Sequence, residues 1–155
     1  MPGLILSAPC SASGKTILSL GLLRALKNRG TPIRSAKSGP DYIDPCFHAA
    51  ASGAECLNFD AWAMAPDTIH HLAAGSETLI IEGAMGLFDG APPNGKGATA
   101  DLARILGLPV ILILDVSHQA QSAAAIALGF KTLDRTIHIG GLILNKVGSP
   151  RHERI

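Results

Sequence analysis

Five short apolar runs recur along this chain, and helical patterns separate several of them. Leu4–Ser7, Pro32–Ala36, Thr78–Ile81, Pro109–Leu114 and Ile137–Leu144 have strand length. They are too uniformly apolar for a sheet with one wet face. Lys15–Asn28, Ala98–Leu106 and Gln121–Lys131 instead place apolar residues at helical spacing, and Gly30 stops the first of these. Strands alternating with helices predict right-handed βαβ crossovers. The expected class is α/β, with a mainly parallel sheet and helices on both faces. A composition that is 47% hydrophobic and only 16% charged agrees, because such a sheet has no solvent face. A length of 155 residues fits one domain, taken as 1–155.

Ligands of such sheets sit beyond the carboxyl ends of the strands. The polar residues of this chain cluster there: Ser11 to Thr16, Lys37 to Asp44, Glu82 to Asp89, Asp115, and Asn145-Lys146.

The segment Ser7-Ala-Pro-Cys-Ser-Ala-Ser-Gly-Lys-Thr16 leaves a strand and opens a helix. That is the context of a phosphate-binding loop. Gly14 allows the backbone to approach phosphate, and successive N–H groups with the helix N-terminus face negative charge. In this reading Ser11, Ala12, Ser13, Gly14, Lys15 and Thr16 hold the phosphates of ATP. Lys15 reaches the β- and γ-phosphates, and the Thr16 hydroxyl coordinates Mg²⁺. The loop departs from GxxxxGK[ST], because Pro9 occupies the position of the first glycine. Its bland alternative is a strand–turn–helix with a chance Gly-Lys-Thr.

The other strand ends add charge. Lys37-Ser-Gly-Pro-Asp-Tyr-Ile-Asp-Pro45 reads as a shaped turn rather than a helix, carrying Lys37, Asp41 and Asp44. The lysine could hold a phosphate or a substrate carboxylate, and the aspartates a metal or a substrate; a solvated polar loop is the alternative. Glu82, directly after an apolar strand, is the natural second anchor for Mg²⁺. Asp89 is either a substrate or metal contact or a turn-former before Gly90. Asn145 either reads an adenine edge or accommodates a turn. Asp115 is a supporting group or a helix cap. Ala91–Gly97 reads as the one clear flexible loop. His70, His71 and His118 read as surface or capping residues, and Phe59 and Trp62 as core.

A net charge of +1 and 4% aromatic residues give no attraction to nucleic acid or membrane and no base-stacking surface. Cys10, Cys46 and Cys56 lack metal or disulfide spacing, so a reducing cytoplasm fits. The N-terminal apolar run is too short for a signal peptide or a membrane span.

Together, SAPCSASGKT, KSGPDYIDPCFH, IIEGAMGLFDG, ATADLARILGLPVILILDVSHQAQSAAAIALGF and LILNKVGSPRH occur in this order. This pattern resembles the N-terminal ATP-binding domain of the cobyrinic (hydrogenobyrinic) acid a,c-diamide synthases, over nearly the whole chain. Dethiobiotin synthetase and cobyric acid synthase are broader relatives. The resemblance implies a carbon–nitrogen ligase of cobalamin biosynthesis that uses ATP, Mg²⁺ and glutamine. It would amidate the a and c acetates of a corrinoid polycarboxylate through acyl phosphates. It implies Thr16, Glu82 and Asp44 around the metal, and Asp41, Tyr42, Asp44 and Asp89 where the corrin carboxylates approach. Lys15 and Lys37 would lie between the anions, and Asn145 at the adenine.

Family members continue into a glutamine amidotransferase domain. No cysteine here sits in a Gly-x-Cys-Gly elbow, so that domain is expected to be absent and free ammonia to serve. Ala12 stands where the family has glycine, which is expected to stiffen the loop slightly. A homodimer is compatible with the sequence. Two other readings stay open: a dethiobiotin-synthetase-like carboxylation ligase, and a switch ATPase of the MinD or ParA type. Against the latter, Ser11 occupies the position of that type's extra lysine.

Overall fold

The computed structural model describes residues 2–154. Six parallel strands form one sheet: β1 (Gly3–Ser7), β2 (Ile33–Ser38), β3 (Cys56–Phe59), β4 (Thr78–Glu82), β5 (Val110–Asp115) and β6 (Ile139–Asn145). Six helices connect or follow them: α1 (Lys15–Asn28), α2 (Asp44–Ser52), α3 (Pro66–Ala73), α4 (Thr99–Leu106), α5 (Ser122–Leu133) and α6 (Pro150–Glu153). The strand order is β3-β2-β4-β1-β5-β6. The chain winds outward from β1 to β3, returns at β4, and then fills the other side. The carboxyl ends of β1 and β4 therefore meet where the winding reverses, the crevice such sheets use for ligands.

Strand pleating explains the two cores, because alternate side chains point to opposite faces. Leu6, Ile80 and Ile113 face α1 and α2, where Leu23 and Ala51 cover them. Ile5, Leu79, Ile81, Val110, Leu112 and Leu114 face the other way, under Ile69 of α3, Leu102 of α4 and Ala123 of α5. Both faces are apolar, as the uniform hydrophobic runs require.

Four elements differ from the sequence expectation, the short helix α6 among them. β3 is a four-residue edge strand that is only half-buried except at Phe59, too short and polar to show a period. α3 begins with Pro66 in its first turn. The turn after β2 is shorter than expected: Lys37 and Ser38 still belong to β2, and α2 starts at Asp44. Pro45 starts this helix rather than excluding it, because proline is tolerated in a first turn that lacks intrahelical partners anyway.

Phe59 is core, as expected, but Trp62 is 60% exposed. It lies on the turn after β3, where Asp60 accepts the Trp62 backbone N–H at 2.9 Å and holds the ring outside the sheet layers. His70, His71 and His118 are exposed. The Ala91–Gly97 loop is closed by backbone bonds from Ala91 to Lys96 and from Gly95 to Ala91, each 2.8 Å.

Candidate nucleotide and metal site

The loop between β1 and α1 is shaped by two left-handed residues. Gly14 has φ 94°, and a Cβ there would overlap Asn145 Nδ2, so only glycine fits. Ala12 has φ 62° with a Cβ present, a conformation that costs an L-residue about 1–2 kcal/mol. This explains why glycine suits that position. Helix α1 has neither a side-chain cap nor an acidic residue in its first turn. Its first N–H groups therefore keep their partial positive charge for an anion. Ser13 Oγ and Lys15 Nζ both donate to Cys10 O at 3.0 Å. From the end of β6, Asn145 Nδ2 donates to Ser13 O at 2.9 Å and Lys146 Nζ to Ala12 O at 3.2 Å. A cavity of about 310 Å³ opens here, lined by Ser11, Gly14, Lys15, Thr16, Lys37 and Glu82.

Beside that loop, four elements deliver one compact charge cluster. Lys37 Nζ at the end of β2 lies 2.6 Å from Asp44 Oδ2 and 2.8 Å from Glu82 Oε1. Thr16 Oγ1 on α1 donates to the same Glu82 Oε1 at 2.6 Å, and lies 3.4 Å from Asp44 Oδ2. The second Glu82 oxygen, Oε2, is 2.6 Å from His48 Nε2, and both side chains are fully buried. An ionised carboxylate only accepts, so Nε2 carries the proton.

Burial alone would push these charges toward neutrality, and the partners reverse it. Glu82 is raised by burial but lowered more by hydrogen bonds from His48, Lys37 and Thr16, reaching about 2. His48 is lowered by burial but raised more by Cys56 and Glu82, reaching about 9. Lys37 behaves likewise: burial lowers it, and its bonds to Asp44 and Glu82 leave it above the usual lysine value. Lys15 is the contrast. Burial dominates there and holds it below the usual value, with Glu82 opposing. Lys15 is thus a desolvated cation with no carboxylate in hydrogen-bond contact, apt for a phosphate oxygen.

The remaining predicted residues take quieter positions. Asp41 Oδ1 accepts from the backbone of Ile43 at 2.8 Å and of Asp44 at 3.1 Å, closing the turn into α2, while Oδ2 stands 3.8 Å from Lys37. Asp89 is exposed, and its Oδ2 accepts from Gly86 N at 3.0 Å. Asp115 pairs with Lys146 at 2.6 Å and also accepts from Ser117. Sequence reasoning missed His48. Its signal was the spacing Asp44-x-x-x-His48, which puts both residues on one face once the segment is known to be a helix.

The oxygen donors fit a hard divalent cation. Thr16 Oγ1, Asp44 Oδ2 and Glu82 Oε1 converge on one place, where the Lys37 ammonium already demonstrates affinity for positive charge. Among the described residues no three His, Cys, Asp or Glu form a metal cage. Mg²⁺ does not require one, since it keeps waters and phosphate oxygens as ligands.

Hydrogenobyrinate a,c-diamide synthase of Brucella ovis is 53% identical over 158 residues, covering 99% of this chain and 36% of the relative. The protein of that name from Rhodobacter capsulatus is 55% identical over 157 residues, covering 97% and 36%. That from Mesorhizobium japonicum is 52% identical, covering 98% and 36%. The chain thus spans about a third of the length of the curated relatives it matches. Among solved structures, chloroplast FtsY from Physcomitrella patens superposes with TM-score 0.62 at 16% identity, covering 92% of this chain and 49% of that one. That likeness concerns the fold. The family described as AAA domain matches residues 42–155, from the turn before α2 onward. The chain belongs to the AAA domain family, as a P-loop α/β protein with homologues among the hydrogenobyrinate a,c-diamide synthases.

Proposed function

We propose that this chain binds ATP and Mg²⁺ and activates corrinoid carboxylates for amidation in cobalamin biosynthesis. The observation that carries this is the convergence of Thr16, Lys37, Asp44 and Glu82 beside an uncapped helix N-terminus. The relatives' name, hydrogenobyrinate a,c-diamide synthase, supports hydrogenobyrinate as the substrate, with the a and c acetates as the proposed sites of amidation.

A carboxylate is a poor electrophile, and it must first meet a second anion, the γ-phosphate. Lys15 and the α1 N-terminus neutralise the phosphates, and Lys37 lies between the two anions. Thr16, Asp44 and Glu82 hold Mg²⁺, which when bound supplies further charge neutralisation. A carboxylate oxygen attacks the γ-phosphorus and ADP leaves. Ammonia then attacks the acyl carbon, the bond from that carbon to the phosphoryl-bearing oxygen breaks, and inorganic phosphate leaves with the electron pair and takes up the proton that the nitrogen loses. Asp41, Tyr42 and Asp89 flank the approach of the corrinoid. Exposed Ile17, Tyr42, Ile43 and Met85 offer apolar surface to a macrocycle with charged arms. Asn145 uses its amide N–H on the loop and keeps its carbonyl oxygen for adenine. A glutamine amidotransferase domain of a longer protein is the proposed natural ammonia source, and free ammonium replaces it in vitro.

The test is incubation with ATP, Mg²⁺, ammonium and hydrogenobyrinic acid, read by ADP release and by mass spectrometry. Amide formation that stops without ATP is expected. Binding of a diamine substrate without corrinoid binding would move the protein to the carboxylation ligases.

A further inference from the structure

We infer that His48 is the positioning residue of Glu82, fixing the one carboxylate oxygen that faces Thr16, Lys37 and the metal. The inference rests on the reading of Glu82 as a metal-holding group. Glu82 is fully buried and its two oxygens do different work. Oε1 receives Thr16 at 2.6 Å and Lys37 at 2.8 Å, while Oε2 has His48 as its hydrogen-bond partner at 2.6 Å. A carboxylate held at one oxygen only can rotate about its last torsion. One held at both cannot, and outer partners of this kind commonly tune metal affinity.

The donor is itself immobilised. His48 is fully buried on α2, one turn after Asp44, so the same helix face presents both residues. Asp44 reaches Lys37 at 2.6 Å and His48 reaches Glu82 at 2.6 Å. Helix α2 thereby sets the spacing between the two carboxylates, one by carrying it and the other by gripping its far oxygen. His48 Nδ1 has no hydrogen-bond partner among the described residues. Among the described residues the one hydrogen bond of the imidazole within normal distance is the one to Glu82 Oε2, with Cys56 acting on the ring as well.

The experiment is a Mn²⁺ titration of the protein with a non-hydrolysable ATP analogue, followed by electron paramagnetic resonance. Thermal midpoints are taken without metal. His48→Leu should weaken Mn²⁺ binding about 10- to 100-fold. Metal-free binding of the analogue by the same variant is the reference against which that loss is read. His48→Gln, which keeps a donor at similar reach, should recover most of the loss. A merely structural histidine would lower the midpoint in both variants without separating them in metal affinity, and that result would overturn the inference. If His48→Leu does not fold, the unsubstituted protein decides. Its His48 Nε2–H proton resonance should shift when Mg²⁺ joins the bound analogue, and an indifferent resonance would overturn the inference. Glu82→Gln separates the two levels. Mn²⁺ affinity surviving Glu82→Gln sinks the metal-site reading; affinity lost there but kept in His48→Leu sinks the role of His48 alone.

Discussion

Two lysine–aspartate pairs stand at the same edge of one sheet, and both measure 2.6 Å. Lys37–Asp44 lies on the β4–β2 side with side-chain exposures of 6% and 23%; Lys146–Asp115 lies on the β5–β6 side with 47% and 28%. Distance does not distinguish them, but surroundings do. The first is joined by Glu82, His48 and Thr16 in a largely buried network. The second is open to water, which screens both charges. The apolar residues repeat the contrast. Leu112 and Leu142 are register partners on one face, yet Leu112 is fully buried and Leu142 is 48% exposed. The inner strands around β1 carry the buried core and the charge cluster, and the β6 edge contributes bracing to the loop.

The contrast is broken most directly at its buried end. Lys37→Met should strand Glu82 and Asp44 without their shared cation and cost about 3–5 kcal/mol, the usual range for breaking a buried pair. Denaturant titration would measure it, and a cost near zero would mean the cluster is far wetter than its geometry. Next, Leu112→Ala should cost about 2–5 kcal/mol, whereas Leu142→Ala should cost less than about 1 kcal/mol. Equal costs would show that the β6 face is buried in solution.

Stability should depend on pH at both ends of the His48–Glu82 pair. Glu82 falls from 4.5 to about 2 on folding, so its contribution is present above pH 4.5 and lost as pH falls toward 2. His48 rises from 6.5 to about 9, so its contribution is full below pH 6.5 and lost as pH rises toward 9. The alkaline loss should amount to at most about 3 kcal/mol, and His48→Gln should remove it. A flat profile from pH 6 to 9 in thermal melts would contradict the ion pair.

Smaller effects belong to the loop and the open edge. Ala12→Gly should relieve left-handed strain and stabilise the native state by up to about 1 kcal/mol, net of the entropy glycine adds to the unfolded chain. A destabilised variant would refute the strain. Asp115→Ala should leave the thermal midpoint unmoved within ordinary error. A clear drop would make the open pair the equal of the buried one and erase the contrast.

Much of the site was legible in the residues. Helix α1 has the bounds its pattern predicts, and the strand ends lie within about two residues of expectation because both sheet faces demand apolar side chains. Strand-end position and resemblance each point to Lys37, Asp44, Glu82 and Thr16 separately, and the fold brings them into one contact network. What stayed hidden was α2. The prolines around Asp41 and Asp44 argued for a turn, and a turn gives no reason to pair Asp44 with His48.

The sequence by itself determined the class of fold, the phosphate loop and the residue types at the sheet edge, because these follow from local periodicity, glycine placement and short-range order. Only the tertiary structure decided which charges are buried. Nothing in the local pattern distinguishes Lys37 from Lys146, or an ordinary histidine from one holding Glu82. Those differences arise because residues 34 positions apart meet in a space without water, where a charge survives only with its partners in place.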